Sequence, residues 1–218
     1  MNHLALLGLG LVLGVRHAAD SDHVVAVTAI AARHQRVGPA ALVGVFWGLG
    51  HSLTIFGVGA LIILLNLAVP PRVGLALEFA VGIALVVVGA LNLRGKGGFV
   101  SAASPDGGGP GLRAFVVGLV HGLAGSAAVA LLVLATVGDP LAGCAYLLVF
   151  GLGTIVGMVA ITFLFASPAA LLARRFRWSG NGLRVLTGVL SVAFGAYVMF
   201  QVGFVDGLFR AVPHWDPR

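Results

Sequence analysis

Charge is what this chain has least of. Only 9% of its 218 residues are Asp, Glu, Lys or Arg, against roughly 25% in soluble domains. With 59% of the residues hydrophobic, a water-facing globule is excluded, and so is disorder, whose condition is low hydrophobicity. Cysteine is nearly missing too. The single Cys144 excludes a disulfide framework and any thiolate metal cage. The opening Met1-Asn2-His3 lacks the positive stretch of a secretory signal, so the first apolar run reads as a retained helix. The net charge of +6 comes without a basic patch interleaved with aromatics, and nucleic acid is not an implied partner.

What the chain has in quantity is apolar length and glycine. Crossing hydrocarbon takes about 20 apolar residues in a helix, and six stretches qualify: about 3–32, 40–66, 73–93, 113–137, 141–166 and 183–204. The first is interrupted by RHAADSDH at 16–23, where a kink or local unwinding is expected. The 33 glycines suit close helix contacts in lipid. The Gly/Ser/Pro-rich 94–112 reads as a flexible linker. It separates 1–93, which carries most of the polar residues at membrane depth, from 113–204; 205–218 is a tail.

Positive charge sets the orientation. Arg33 and Arg36, then Arg94, Lys96 and Arg113, then Arg174, Arg175, Arg177 and Arg184 mark three connections on one side. Only Arg72, Arg210 and Arg218 lie on the other. A multi-pass protein of the cell (inner) membrane is expected, with both termini outside the cytoplasm. Its small size is compatible with a homo-oligomer.

Glycine spacing points to a duplication. Gly14 to His17 aligns with Gly118 to His121 at an offset of 104, Gly48 to Gly50 with Gly151 to Gly153 at 103, and Gly82 and Gly89 with Gly188 and Gly195 at 106. Three helices per copy is an odd number, so the second copy must enter the membrane from the opposite side. The expected fold is an all-α polytopic membrane protein with six transmembrane helices as two inverted three-helix repeats, the arrangement of secondary transporters with a site near the midplane. A shared packing rhythm is the simpler alternative.

The polar residues at membrane depth are few. A charge at the centre of a spanning helix costs roughly 2.5–3.5 kcal/mol on insertion scales, so Arg16, Asp20 and Asp22 in the first run are not a passive feature of a lipid-facing helix. His17, Asp20 and His23 share one helical face; Arg16 and Asp20, four apart, can pair; Asp22 joins only if the helix unwinds. His51, flanked by Gly50 and Ser52, and His121 complete the set. Imidazole and carboxylate without thiolate suit Ni2+, Co2+, Zn2+ or Fe2+ better than Cu(I), Mg2+ or Ca2+. The candidate ligands are His17, Asp20, Asp22, His23, His51 and His121, supported by Arg16, Ser52 and Ser126. Glu78 reads as a charge near a helix end, and His3, His34 and His214 receive no role. A transported divalent metal fits this set. An intramembrane metalloenzyme, using the H-x4-D spacing of His17 and Asp22 as acyltransferases do or a catalytic Zn2+, and a metal-binding subunit without transport remain alternatives.

RHAADSDHVV at 16–25 resembles the RHA-x-D-A-D-H-I signature of the nickel/cobalt transporter family, and FWGLGHSLTI at 46–55 resembles its second signature, F-F-x-x-G-H-S-T-V-V. The resemblance implies a permease for Ni2+ or Co2+, with His17, Asp22, His23 and His51 in or near the metal path. The second half departs from the pattern. In HGLAGSAAVA at 121–130, Ser126 and Ala130 stand at the family's acidic positions, and Thr162, after GLGTIVGM at 151–158, stands where an Asp is expected. With six helices the chain resembles a compact branch, similar to membrane proteins grouped with nickel transport or urease accessory functions.

Overall fold

The structure is a computed structural model that describes residues 2–31, 37–65, 70–94, 110–123, 139–176 and 180–215. Among them there are helices and no strands. In hydrocarbon each backbone N–H and C=O must bond within the chain, and the apolar runs meet that demand as α1 (His3–Ala18), α2 (Ser21–Ala31), α3 (Val37–Leu65), α4 (Pro71–Leu93), α5 (Pro110–Leu123), α6 (Pro140–Phe176) and α7 (Gly180–Phe200). A π-helical turn, Gln201–Val205, continues α7.

Local chemistry sets the ends. The Asn2 side chain accepts from the Leu4 N–H at 3.2 Å and starts α1 as an N-cap. Asp139 does the same for α6, accepting from the N–H groups of Leu141 at 3.1 Å and Ala142 at 3.3 Å. Proline opens α4, where its missing N–H costs no helical bond. The interruption in the first apolar run is a real break. α1 ends at Ala18, the N–H of Ala19 turns back to the carbonyls of Arg16 and His17, and α2 leaves at 53° to α1.

Among the described residues four helices are long and apolar enough to cross a membrane, or five if the bent α1–α2 pair is counted as one broken span. Of the fourth apolar run, α5 covers the first part, and 124–137 lies outside the described residues, as does 95–109 of the linker. α6 carries on to Phe176, past the end of its apolar run. The apolar stretches of the four long helices are only 28–44% buried inside the protein. Leu53, Leu61, Leu152 and Phe163 stand exposed on the outside, an apolar surface far larger than a water-soluble monomer carries. This is an all-helical membrane protein.

α3 packs on α5 and α6, α6 on α1, and α4 on α7. Glycines make the closest approaches, and they do so in matched sets. A Cβ on Gly14 of α1 would strike Phe150 O and Thr154 N of α6; one on Gly118 of α5 would strike Trp47 O and His51 N of α3. Gly153 meets Leu11 O and Val15 N, while Gly50 meets Phe115 O and Leu119 N. Where α4 crosses α7, Gly82 and Gly195 face each other's carbonyls, as do Gly89 and Gly188. The offsets of 103, 104 and 106 carry each contact onto its mate.

Two apolar cores result. One gathers Ala18, Val27, Val43, Trp47, Leu85 and Met158; the other gathers Leu6, Ile55, Tyr146, Leu147 and Phe150. Trp47 from the first packs edge-on to His121, and Phe150 from the second packs on His17. The polar cluster lies between them.

Candidate metal centre

The break in the first span brings the centre together. Ending α1 at Ala18 leaves His17 in its last turn, and restarting at Ser21 puts Asp22 and His23 in the first turn of α2. On a continuous helix Asp22 would point away from His17. α3 adds His51 at the level where Gly50 and Gly118 let α3 and α5 touch, and α5 adds His121. The His23 ring is central, with centroids 4.7 Å from His17, 4.8 Å from His51 and 4.6 Å from His121.

The hydrogen bonds assign the ring nitrogens. Asp22 Oδ1 accepts from His23 Nδ1 at 3.1 Å, and Asp22 Oδ2 accepts from His121 Nε2 at 3.0 Å. A neutral His23 that donates through Nδ1 carries its lone pair on Nε2, and Nε2 is buried with no hydrogen-bond partner. Asp20 Oδ2 accepts from His17 Nδ1 at 2.9 Å, so in a neutral His17 ring Nε2 is the acceptor towards His51 Nε2, also at 2.9 Å. His51 then donates through Nε2, and its lone pair falls on Nδ1, which is likewise buried and without a partner. Both rings are fully buried. Two imidazole nitrogens within the ring cluster are thus buried without a donor to meet them, an arrangement that suits a cation. One ligand atom each from His17, His23 and His51, and one each from Asp22, His23 and His121, form two overlapping sets whose atoms lie within 4.8 Å of one another.

Not every candidate joins the centre. Asp20 stands at its edge, with a 42% exposed side chain, and reaches it through His17. The Arg16–Asp20 pair does not form. The helix ends between the two residues, the i, i+4 rule no longer applies, and Arg16 is exposed while Asp20 binds His17. Ser52 Oγ donates to Gly151 O at 3.0 Å and ties α3 to α6. Ser126 lies outside the described residues. Thr162 is fully buried and donates to Met158 O at 2.6 Å; it is a packing residue beside Gly44.

Sequence spacing missed Glu78. It lies two turns into α4, accepts from Trp215 Nε1 at 2.8 Å, and lines a cavity of about 320 Å3 with Asp20, Asp22, Gln201 and Asp206. Among the described residues the wall holds no Lys or Arg. The tail after Gly207, whose φ of +85° is one that glycine adopts without strain, folds back over the start of α4. There Trp215 lies on Gly74, Phe209 on Phe79, and Arg72 donates to Ala211 O at 3.2 Å. The folded tail brings Trp215 to Glu78, while Asp206 reaches the cavity from the end of the π-helical turn.

Apolar helices closed around a histidine–carboxylate cage define the class: a helical membrane protein with a candidate transition-metal centre. No protein-family model and no solved structure matches the chain. The chain is 37% identical to the urease accessory protein UreH of Bacillus sp. (strain TB-90) over 223 residues, covering 95% of this chain and 96% of that protein. It belongs to the UreH family, in keeping with the nickel/cobalt transporter signatures on α1–α2 and α3.

Proposed function

We propose that this protein is a permease for a divalent transition-metal cation, Ni2+ before Co2+, which it holds within the bilayer on His17, Asp22, His23, His51 and His121. The observation that carries this reading is the pair of fully buried imidazole lone pairs, on His23 Nε2 and His51 Nδ1, left without partners. An unsatisfied buried polar group costs about 1–3 kcal/mol, and ligation of a cation removes that penalty for each nitrogen it engages. Nitrogen and oxygen donors without sulfur suit Ni2+ and Co2+. The relative's name adds support for nickel, since urease is a nickel enzyme. Because His23 belongs to both ligand sets, the centre holds one ion at a time.

The exchange of glycine contacts between α1–α6 and α5–α3, and within α4–α7, supports two three-helix repeats in inverted order. The ligands then come from both halves, His121 from the second and the rest from the first, as expected of a site around which two repeats rock. The test uses purified protein in proteoliposomes that enclose a nickel-sensitive dye. The parent protein conducts, and His23→Ala and His51→Ala do not. A parent that binds Ni2+ without flux is a binding subunit, and variants that conduct like the parent defeat the site assignment.

A further inference from the structure

The two ends of the α4–α7 pair differ. At one end, where α4 begins and α7 finishes, the acidic cavity reaches the surface between Glu78 and Val81 on α4 and Phe194, Tyr197 and Gln201 beyond, and Tyr197 is 57% exposed. At the other end there is a polar knot. Asn92, 2% exposed, holds its Nδ2 amino group among three acceptors, Ala29 O at 3.1 Å, Thr187 Oγ1 at 3.1 Å and Arg184 O at 3.3 Å, which its two N–H groups share, while Arg184 Nη1 donates to Asn92 O at 3.3 Å. These two places correspond. The offset of 106 that relates α4 to α7 carries Glu78 onto Arg184, Val81 onto Thr187, and Asn92 onto Val198. Val81 and Val198 line the cavity; Thr187 and Asn92 close the knot. What is open at one end is tied shut at its counterpart.

α2 connects the two. Its first turn carries Asp22 on the cavity wall and His23 in the metal centre, and seven residues further on, about 10 Å along a helix, the Ala29 carbonyl accepts from Asn92. Any shift of α2 that accompanies ligation at Asp22 and His23 pulls on the knot. Ala29, Asn92, Thr187 and Arg184 have no place among the ligands.

We infer that Asn92, Thr187 and Arg184 form a closed gate on the exit side of the metal path, opposite an open acidic entrance at Asp20, Asp22, Glu78 and Asp206, with α2 as the lever between centre and gate. This rests on the permease reading. The gate lies at the end that carries Arg94 and the positive connections, and the entrance at the end with few, so the positive-inside rule makes the path one of uptake. Hydrated divalent cations gather among the carboxylates, pass Asp22 to the centre, and leave when the Asn92 knot parts.

The test is the N92C/T187C pair in a Cys144→Ala background, linked by oxidation or by a short bis-thiol reagent, with Ni2+ as the probe. The linked protein should lose Ni2+ flux in proteoliposomes, bind Ni2+ in detergent as the reduced protein does, and regain flux when the link is reversed. Unchanged flux in the linked protein overturns the gate, and so does a link that abolishes binding, which would make the knot part of the site. If the pair does not fold, Thr187→Val, which removes the hydroxyl that accepts from Asn92 Nδ2 and donates to Arg184 O at 3.2 Å, should speed deuterium exchange around Ala29 and Asn92; unchanged exchange again overturns the inference. A parent protein that binds no Ni2+ defeats the permease reading itself. A parent that binds and conducts with an indifferent knot defeats only the gate.

Discussion

Asp22→Asn changes one oxygen for one amide nitrogen and leaves the volume of the centre intact. In the parent, Asp22 accepts two hydrogen bonds, from His23 Nδ1 at 3.1 Å and His121 Nε2 at 3.0 Å, and offers an anionic ligand. Asn keeps one acceptor. Its NH2 group must face the other histidine, which either breaks that bond or forces a tautomer whose lone pair no longer points into the centre. A hydrogen bond to a charged group contributes about 1.5–3 kcal/mol, so the loss corresponds to about 10- to 150-fold weaker metal affinity at 1.4 kcal/mol per tenfold. Calorimetric titration of the detergent-solubilised protein with Ni2+ reads this directly, and unchanged elution on size exclusion reports that the fold is kept. Equal affinity in parent and variant would refute the assignment of Asp22 as both ligand and orienting group.

Ser52→Ala removes one hydrogen bond to Gly151 O, a loss of about 0.5–1.5 kcal/mol in thermal unfolding, with nickel affinity unchanged; a parallel loss of affinity would put Ser52 in the centre. Gly50→Ala drives a Cβ into Phe115 O of α5 and should destabilise by about 1–3 kcal/mol, since backbone cannot yield as a side chain does. Gly57→Ala, with nothing within 4 Å, should be neutral or up to about 1 kcal/mol stabilising; equal melting of the two variants would contradict the packing. Elemental analysis of saturated protein should give one metal ion per chain, because the two ligand sets share His23; two ions would mean that the sets fill independently.

Much of the centre was legible in the sequence because charge in an apolar helix is expensive and therefore sparse. The run 16–23 announced its own break, and His51 and His121 stood out against leucine and glycine. The glycine offsets anticipated the contacts between α1 and α6 and between α5 and α3, since glycine marks where backbones touch. Long-range geometry was not legible. Helical spacing paired Arg16 with Asp20, and only the end of α1 at Ala18 shows why Asp20 turns to His17 instead. Ser52, beside His51, looked like support for the centre and proves to be a clamp to α6. Glu78 and Asn92 are ordinary polar residues in a linear reading. Their roles depend on the fold of the tail and on how α4 and α7 cross, which no local pattern encodes.

The central claim is that the buried histidine–carboxylate cluster is where the metal sits. X-ray absorption at the nickel edge of protein saturated with one equivalent of Ni2+ tests it most directly. The expected first shell is nitrogen and oxygen, with the outer-shell scattering of at least two imidazole rings and no sulfur, and that imidazole signature is lost in His23→Ala. A shell of oxygen alone, or one containing sulfur, would contradict it.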